Sequence, residues 1–437
     1  MSNPVEVKLW GTTIGYLGYA PEQTRIATFE YEDNFLSSGI NISPLKMKYP
    51  PKRHVYDDLS YKTFKGLPGV FADSLPDKFG RQLIDQYMAE KNIPASSITA
   101  LDRLLYVGTR GMGALEYHPA EQFEDINDAD TILDIHMLSE LAEMIISNQN
   151  NQQKKLIEAD KLNAALKLIR IGSSAGGARS KSLIALSQKG QLYDGTIDHG
   201  EAYSYWLLKF DTASNSDRDS LDPKGMPKIE YIYSKIAEKC GINIPSTKYI
   251  EDGNDFHFLI ERFDRLNVDG NYQKLHYASW AGLAHADRDP TGAYSYEQLI
   301  LLSRELGLGQ DEITELFRRA VFNIIGRNQD DHTKNFGFLM DKFGAWKLSP
   351  AFDMTYSYDP KGKWTKIHQI KLNRKQDDFS RSDLIDFGRY CNLDTNKSNI
   401  IISSIINEFS YFEKYAKDYN VEMHLATTVQ NNLRIKI

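Results

Sequence analysis

Apolar and polar positions alternate along residues 5–9 and again along residues 24–31, the period of strands that bury one face. Between them, Gly18-Tyr19-Ala20-Pro21 is turn-prone. A Gly/Pro-punctuated stretch, residues 66–77, leads into a helix starting near Lys78, with Leu83, Ile84, Tyr87 and Met88 on one face. The polar run at residues 147–154 (SNQNNQQK) is the best candidate linker. From Leu156 to about Arg265 the pattern predicts a strand-rich region, and long amphipathic helices dominate after it. One helix, residues 311–325, gathers Ile313, Leu316, Phe317, Ala320 and Ile324 on one face and stops at Gly326. No internal repeat is apparent. The predicted order is an N-terminal α+β domain (1–150), a strand-rich small lobe (151–265) and a mostly helical large lobe (266–437), the lobe order of a protein-kinase-like fold.

Bulk properties narrow the class of protein. The chain has 437 residues, too many for one ordinary core, so two or three lobes are expected. A net charge of −7 argues against broad nucleic-acid binding by the chain itself. Cys240 and Cys391 are the only cysteines, which excludes a disulfide framework and a cysteine-rich zinc site. The N-terminus lacks a basic start and an apolar core of a signal peptide, and no apolar run reaches the length of a membrane span. A cytoplasmic protein that does not enter membranes is expected.

The most informative chemistry is Asp330-Asp331-His332-Thr333-Lys334-Asn335, followed downstream by Asp353. Asp330 and Asn335 have the D-x-x-x-x-N spacing of a kinase catalytic loop, in which the Asp orients the acceptor hydroxyl and the Asn holds Mg²⁺. The pattern of Phe336 to Met340 and of Trp346 to Leu348 predicts two strands joined by a turn at residues 341–344. Such a hairpin would deliver Asp353 back to the loop as a second Mg²⁺ ligand. Asp and Asn also crowd turns for local hydrogen-bonding reasons, so the spacing alone leaves both readings open.

A kinase also needs a phosphate cover, and the Gly-rich residues 172–181 (GSSAGGARSK) supply a candidate. Gly172 and Gly177 have Walker spacing, but Ala178 stands where that loop needs Lys. Lys181 to Ser187 reads as a strand turning at Lys189-Gly190, and strand–Gly loop–strand is the kinase arrangement. A plain Gly/Ser surface loop is the alternative. Residues 203–210 (YSYWLLKF) read as a buried strand whose one charge, Lys209, either snorkels to solvent or meets an anion. Glu230 begins a predicted helix and could pair with a Lys; otherwise it is a solvated first-turn carboxylate. Residues 258–265 (FLIERFDR) form an apolar strand running into charge, which suits a hinge whose Glu261 and Phe263 backbone groups meet an adenine edge.

Taken together and in this order, these segments resemble the HipA family of type II toxin–antitoxin kinases across essentially the whole chain. The residues that carry the resemblance are 66–81 (GLPGVFADSLPDKFGR), the Gly loop with its Lys, IERFDR, the D-x-H-x-K-N loop and PAFD at 350–353. The resemblance implies a Mg²⁺/ATP-dependent, non-specific serine/threonine protein kinase that acts as a toxin. It also implies Asp330 as the catalytic residue and Asn335 and Asp353 as the Mg²⁺ ligands. Ser174, Ala175, Gly176, Gly177, Lys181, Lys209, Glu261, Phe263 and His332 would line the ATP site. Ser174 would be autophosphorylated, expelling the loop from its ATP-binding arrangement, with Ser173 an adjacent competitor. The implied partners are a protein substrate, in this family a translation component such as an aminoacyl-tRNA synthetase, and a small DNA-binding HipB-like antitoxin, through which alone DNA is met. Family members commonly carry Gln two residues before the loop Lys, where this chain has Arg179. The competing function is a small-molecule or lipid phosphotransferase, because kinases of those substrates share the same D-x-H-x-x-N loop. A catalytically dead scaffold is the third.

Overall fold

A computed structural model describes residues 4–21, 23–121, 131–147, 159–172, 179–212 and 223–437. It is an α+β protein with a kinase-like two-lobed body and an additional N-terminal α+β portion. The N-terminal sheet is antiparallel, in the order β4 (Arg53–His54), β3 (Gln23–Tyr31), β2 (Thr12–Ala20), β1 (Val5–Leu9), β5 (Leu115–His118). Alternation buries Val5, Val7 and Leu9 on its inner face, as the period-2 pattern predicts. Of the turn predicted at Gly18 to Pro21, only Pro21 lies in it: Gly18, Tyr19 and Ala20 belong to β2, and the chain reverses at its end, where Ala20 faces Gln23 across the ladder. Glycines placed inside a long strand had the appearance of punctuation.

The predicted helix after residue 77 is Lys78–Glu90, with Leu83, Ile84, Tyr87 and Met88 all buried. Asp77 caps it, its side chain accepting from Gly80 N at 2.7 Å. Residues 148–154 of the predicted linker lie outside the described residues. The strand-rich expectation from Leu156 fails at its start, because Ala159–Gly172 is a helix. The Gly-rich segment therefore runs from a helix, not a strand, into β6 (Lys181–Ser187). Leu168, Ile169 and Ile171 are buried almost in succession. A helix covered on more than one side loses the apolar stripe that would reveal it.

The second sheet has the order β7 (Leu192–Asp194), β6, β8 (Tyr203–Lys209), β10 (Asp255–Glu261), β9 (Thr247–Asp252), all neighbours antiparallel. Its Ile184, Trp206, Leu208 and Leu259 share one apolar core with Phe79, Leu83 and Ile84 of the Lys78–Glu90 helix and Leu168 of the next. Burying each such side chain contributes roughly 1.5–3 kcal/mol, so the N-terminal portion and this sheet are fused rather than tethered. Helix Met226–Lys239 starts one turn before the predicted Glu230, with Pro227 in its first turn. A two-stranded ribbon, β11 (Arg265–Val268) and β12 (Asn271–Lys274), then leads to the three-stranded sheet β13 (His276–Ser279), β14 (Gly337–Met340), β15 (Trp346–Leu348). The β14–β15 hairpin has the predicted turn, closed by Gly344 N donating to Asp341 O at 3.1 Å. Helix Gln310–Ile325 buries the predicted face and is capped by Gly326. No helix among the described residues is long and apolar enough to cross a membrane.

Candidate active site

The loop at 330–335 hangs between helix Gln310–Ile325 and β14. Asn335 Nδ2 donates to Asp330 O at 2.8 Å, so the two ends of the D-x-x-x-x-N motif close on each other. That bond uses the amide nitrogen and turns Asn335 Oδ1 outward as an oxygen donor. Asp330 N donates to Ser357 Oγ at 2.9 Å, leaving its carboxylate 46% exposed and facing His332 Nε2 at 3.8 Å. His332 Nδ1 accepts from Lys334 N at 3.2 Å, so the ring proton belongs on Nε2, toward Asp330. Burial lowers the pKa of His332.

Asp331 has a different role. It is buried and accepts three hydrogen bonds, from Tyr296 OH, His368 Nδ1 and Gln369 N, each at 2.8 Å. Such a carboxylate fixes the loop and offers no face to a substrate. The anchoring continues as one polar chain. Asn323 donates to Tyr296 OH, Asn328 donates to Asn323 Oδ1 and to Asp353 O, and Ser357 donates to Asn328 Oδ1. Backbone at Asp330 and backbone at Asp353 are thereby held by a common network. Asp353 itself is left-handed, with φ +52°, a conformation that costs a non-Gly residue on the order of 1 kcal/mol and is held only where surroundings require it.

The surroundings are a buried ion cluster. Lys209, at the end of β8, does not snorkel: its Nζ donates to Glu230 Oε1 at 2.5 Å and also to Asp353 Oδ1. Glu230 reaches it from helix Met226–Lys239, which Tyr233 ties to the end of the Gln310–Ile325 helix by donating to Gly326 O at 2.7 Å. Burial pushes the Lys209 pKa down, but Asp353 and Glu230 push it up further and the net shift is upward. Burial likewise opposes ionisation of Asp353, yet Lys209 and Lys181 overcome it and its pKa falls to about 2. Lys181 pairs with Lys209 across the β6–β8 ladder, so both ammoniums leave the same face of the sheet.

Glu261 ends β10, its N–H donating to Ser246 O at 2.9 Å. No hydrogen bond is found to the Phe263 N–H among the described residues. The Phe263 ring meets Phe352 and Tyr277, at centroid separations of 5.6 and 5.9 Å. The charges that follow the strand are not part of this surface. Arg262 and Arg265 both grip buried Asp264 and both donate to Gly111 O, so the segment is pinned to the N-terminal portion. Ser173, Ser174, Ala175, Gly176 and Gly177 lie outside the described residues.

The structure thus brings Asp330, His332, Asn335, Asp353, Lys209, Glu230 and Lys181 into one electrostatic neighbourhood, with Glu261 at the end of β10 and Phe263 in the turn that follows it. Sequence reasoning missed Asp331, Tyr296, His368 and Asn328 as its supports, and Asp77, which faces Lys181 at 3.5 Å. Only the paired Asp330-Asp331 gave any sign, and spacing cannot tell an anchor from a base. A hard-oxygen set of one ionised carboxylate, Asp353, and one amide oxygen, Asn335, suits Mg²⁺, which takes few protein ligands and fills its shell with water and phosphate.

Residues 5–118 match the family description "HipA N-terminal domain" and residues 173–411 match "HipA-like C-terminal domain". A "Putative kinase" of Haemophilus influenzae is 27% identical over 210 residues, 41% of this chain and 59% of that protein. "Serine/threonine-protein kinase toxin HipA" of Shewanella oneidensis is 23% identical over 142 residues, 29% of this chain and 33% of that protein. The chain therefore spans less than two thirds of the length of these curated relatives. The solved complex of Shewanella oneidensis HipA, HipB and operator DNA contains a chain of the same fold, with a TM-score of 0.62 at 15% identity, covering 98% of this chain and 94% of that one.

Proposed function

Because the chain belongs to the HipA family, we propose that it is a Mg²⁺/ATP-dependent serine/threonine protein kinase, the toxin of a toxin–antitoxin pair. The observation that carries this reading is the Lys209–Glu230–Asp353 cluster standing beside the Asp330–Asn335 loop. It is an arrangement suited to phosphoryl transfer, which needs positioned charge more than covalent help.

In this mechanism Lys209 and Lys181 hold the nucleotide phosphates, and Glu230 keeps Lys209 in place when Asp353 turns to the metal. Asp353 and Asn335 Oδ1 would hold Mg²⁺, which would neutralise charge on the transferring phosphoryl group. Asp330, exposed and oriented by the Asn335 and Ser357 bonds, accepts the proton of the acceptor hydroxyl. His332, kept neutral by burial, offers its Nε2–H next to that carboxylate. The Glu261 carbonyl and Phe263 N–H receive the adenine edge, with the Phe352 and Tyr277 rings behind Phe263. Ser174 is the autophosphorylation site, the partner is a HipB-like antitoxin through which DNA is met, and the compartment is the cytoplasm. A small-molecule phosphotransferase would share the loop, but the match of residues 5–118 to the HipA N-terminal domain favours the toxin.

Asp330→Asn tests the assignment. Turnover should fall by about 10²–10⁴-fold with Mg²⁺-ATP affinity retained. Near wild-type turnover would remove Asp330 from the chemistry, and buried Asp331 would not replace it.

A further inference from the structure

Asp77 belongs to none of the catalytic motifs, yet its carboxylate reaches the sheet that carries Lys209. One oxygen caps the Lys78–Glu90 helix through Gly80 N. The other, Oδ2, is buried, receives no hydrogen bond among the described residues, and lies 3.5 Å from Lys181 Nζ. The side chains of Lys181 and Asp77 are only 2% and 10% exposed. Burial drives the Lys181 pKa down and that of Asp77 up to about 6, and each is the largest counter-charge opposing that burial in the other.

The same helix meets the opposite end of the Gly-rich segment. A Cβ on Gly172 would lie 2.7 Å from Leu83 Cδ1 and 3.3 Å from Phe79 Cε1. One helix of the N-terminal portion therefore touches both the residue that leads into the segment and the lysine that leads out of it. On the sheet face, two ammoniums stand side by side with three carboxylates around them: Asp77 at Lys181, Glu230 and Asp353 at Lys209. Glu230 and Asp353 outnumber Lys209 and leave a net negative charge. A Lys181 without Asp77 would be drawn toward it on its flexible stem and would compete for Asp353.

We propose that Asp77 is a positioning residue for the nucleotide, aiming Lys181 at the phosphates so that the N-terminal portion completes the phosphate site. This rests on the phosphotransfer reading above. Asn and Ser cap helices as well as Asp does, so Asp77→Asn and Asp77→Ser remove the charge and keep the helix end, and either variant alone suffices.

The test is titration of the full chain with Mg²⁺-ATP, together with steady-state kinetics and melting. Wild-type protein should bind. Each Asp77 variant should bind roughly tenfold more weakly, the low end of what losing an orienting partner behind a charged ligand costs. KM for ATP should rise by that factor and kcat should fall less, with melting used to show that each variant is folded. In a Lys181→Met background the Asp77 change should add nothing. Unchanged affinity in the single variant, or an equal loss in the Lys181→Met background, would overturn the proposal. Failure of the wild-type chain, shown unphosphorylated by intact mass, to bind Mg²⁺-ATP would instead overturn the phosphotransfer reading, and is seen before any variant is compared.

Discussion

Replacing Lys209 by Met keeps the length of the side chain and removes the one cation shared by two carboxylates. The Glu230 side chain is 4% exposed and that of Asp353 30%, so Glu230 cannot turn to water and Asp353 reaches it only in part. Removing one partner from a buried pair costs about 3–5 kcal/mol, because the remaining charge is stranded. Glu230→Gln alone is milder, since Lys209 keeps Asp353 and the amide can still accept a hydrogen bond. The loss there should be about 1.5–3 kcal/mol, that of a hydrogen bond to a charged group. The double variant distinguishes stranding from lost packing. With Glu230 neutralised, Lys209→Met strands only the partly exposed Asp353, so the double variant should be more stable than Lys209→Met by about 1–3 kcal/mol. Urea unfolding followed by tryptophan fluorescence reports the cluster well, because Trp206 lies in the same strand as Lys209. Losses in the double variant equal to the sum of the single losses would refute the reasoning, since independent sites add and coupled charges do not.

Further outcomes follow from other contacts. Asp331→Ala should lower both stability and turnover, because Tyr296, His368 and the Gln369 N–H lose their shared acceptor; a folded, fully active variant would show that the loop needs no anchor. Gly282→Ala should destabilise the junction between the short helices Gly69–Ala72 and Trp280–Ala284, since the new Cβ would sit 2.1 Å from Asp73 Oδ2. An unchanged melting temperature would contradict that packing. Acidification should weaken the fold: burial lowers the pKa of His54, His257 and His332, and pushes His276 and His285 down to about 4. The unfolded chain takes protons there below pH 6.5 while the folded chain does not, so stability is lost as pH falls from 6.5 toward 4. Burial acts oppositely on Asp73 and on Asp77, and the hydrogen bond to Asp252 acts oppositely on exposed His136, so the folded forms of these three take protons first. Five sites against three leave a net loss, each unmatched proton at a buried site contributing about 1.4 kcal/mol per pH unit. A urea midpoint unchanged between pH 7 and pH 5 would sink this. After incubation with Mg²⁺-ATP, peptide mass spectrometry should find phosphate on Ser174 in the wild-type chain and none in Asp330→Asn. The added charge of about −1.5 to −2 should weaken ATP binding, and an unmodified loop would exclude this control.

Local rules made much of this fold readable. The Gln310–Ile325 helix has a full apolar stripe and a Gly stop, and the β14–β15 hairpin has apolar strands around a polar turn. Where burial is two-sided, the pattern fails: Leu166, Leu168, Ile169 and Ile171 gave the Ala159–Gly172 helix the look of a strand. The pairing of Glu230 with Lys209 was open in sequence and is present in the structure, but the sharing of Lys209 with Asp353 was not foreseen. Contacts of this kind join residues far apart in the chain and leave no periodic trace. The same holds for Asp77, whose cap role is visible in its neighbours while its approach to Lys181 depends on how the helix docks. Asp331 marks another limit: beside Asp330 it is chemically identical, and only burial separates the anchor from the exposed carboxylate.

Transfer of the terminal phosphoryl group from labelled ATP is the most direct test of the central claim. The assay compares the wild-type chain with Asp353→Ala, with Mg²⁺ and with chelator, after both are shown folded by melting. Label should appear on protein only with wild-type chain and Mg²⁺, and Asp353→Ala should be silent. Equal labelling by Asp353→Ala, or no labelling by a folded wild-type chain that binds Mg²⁺-ATP, would contradict the account.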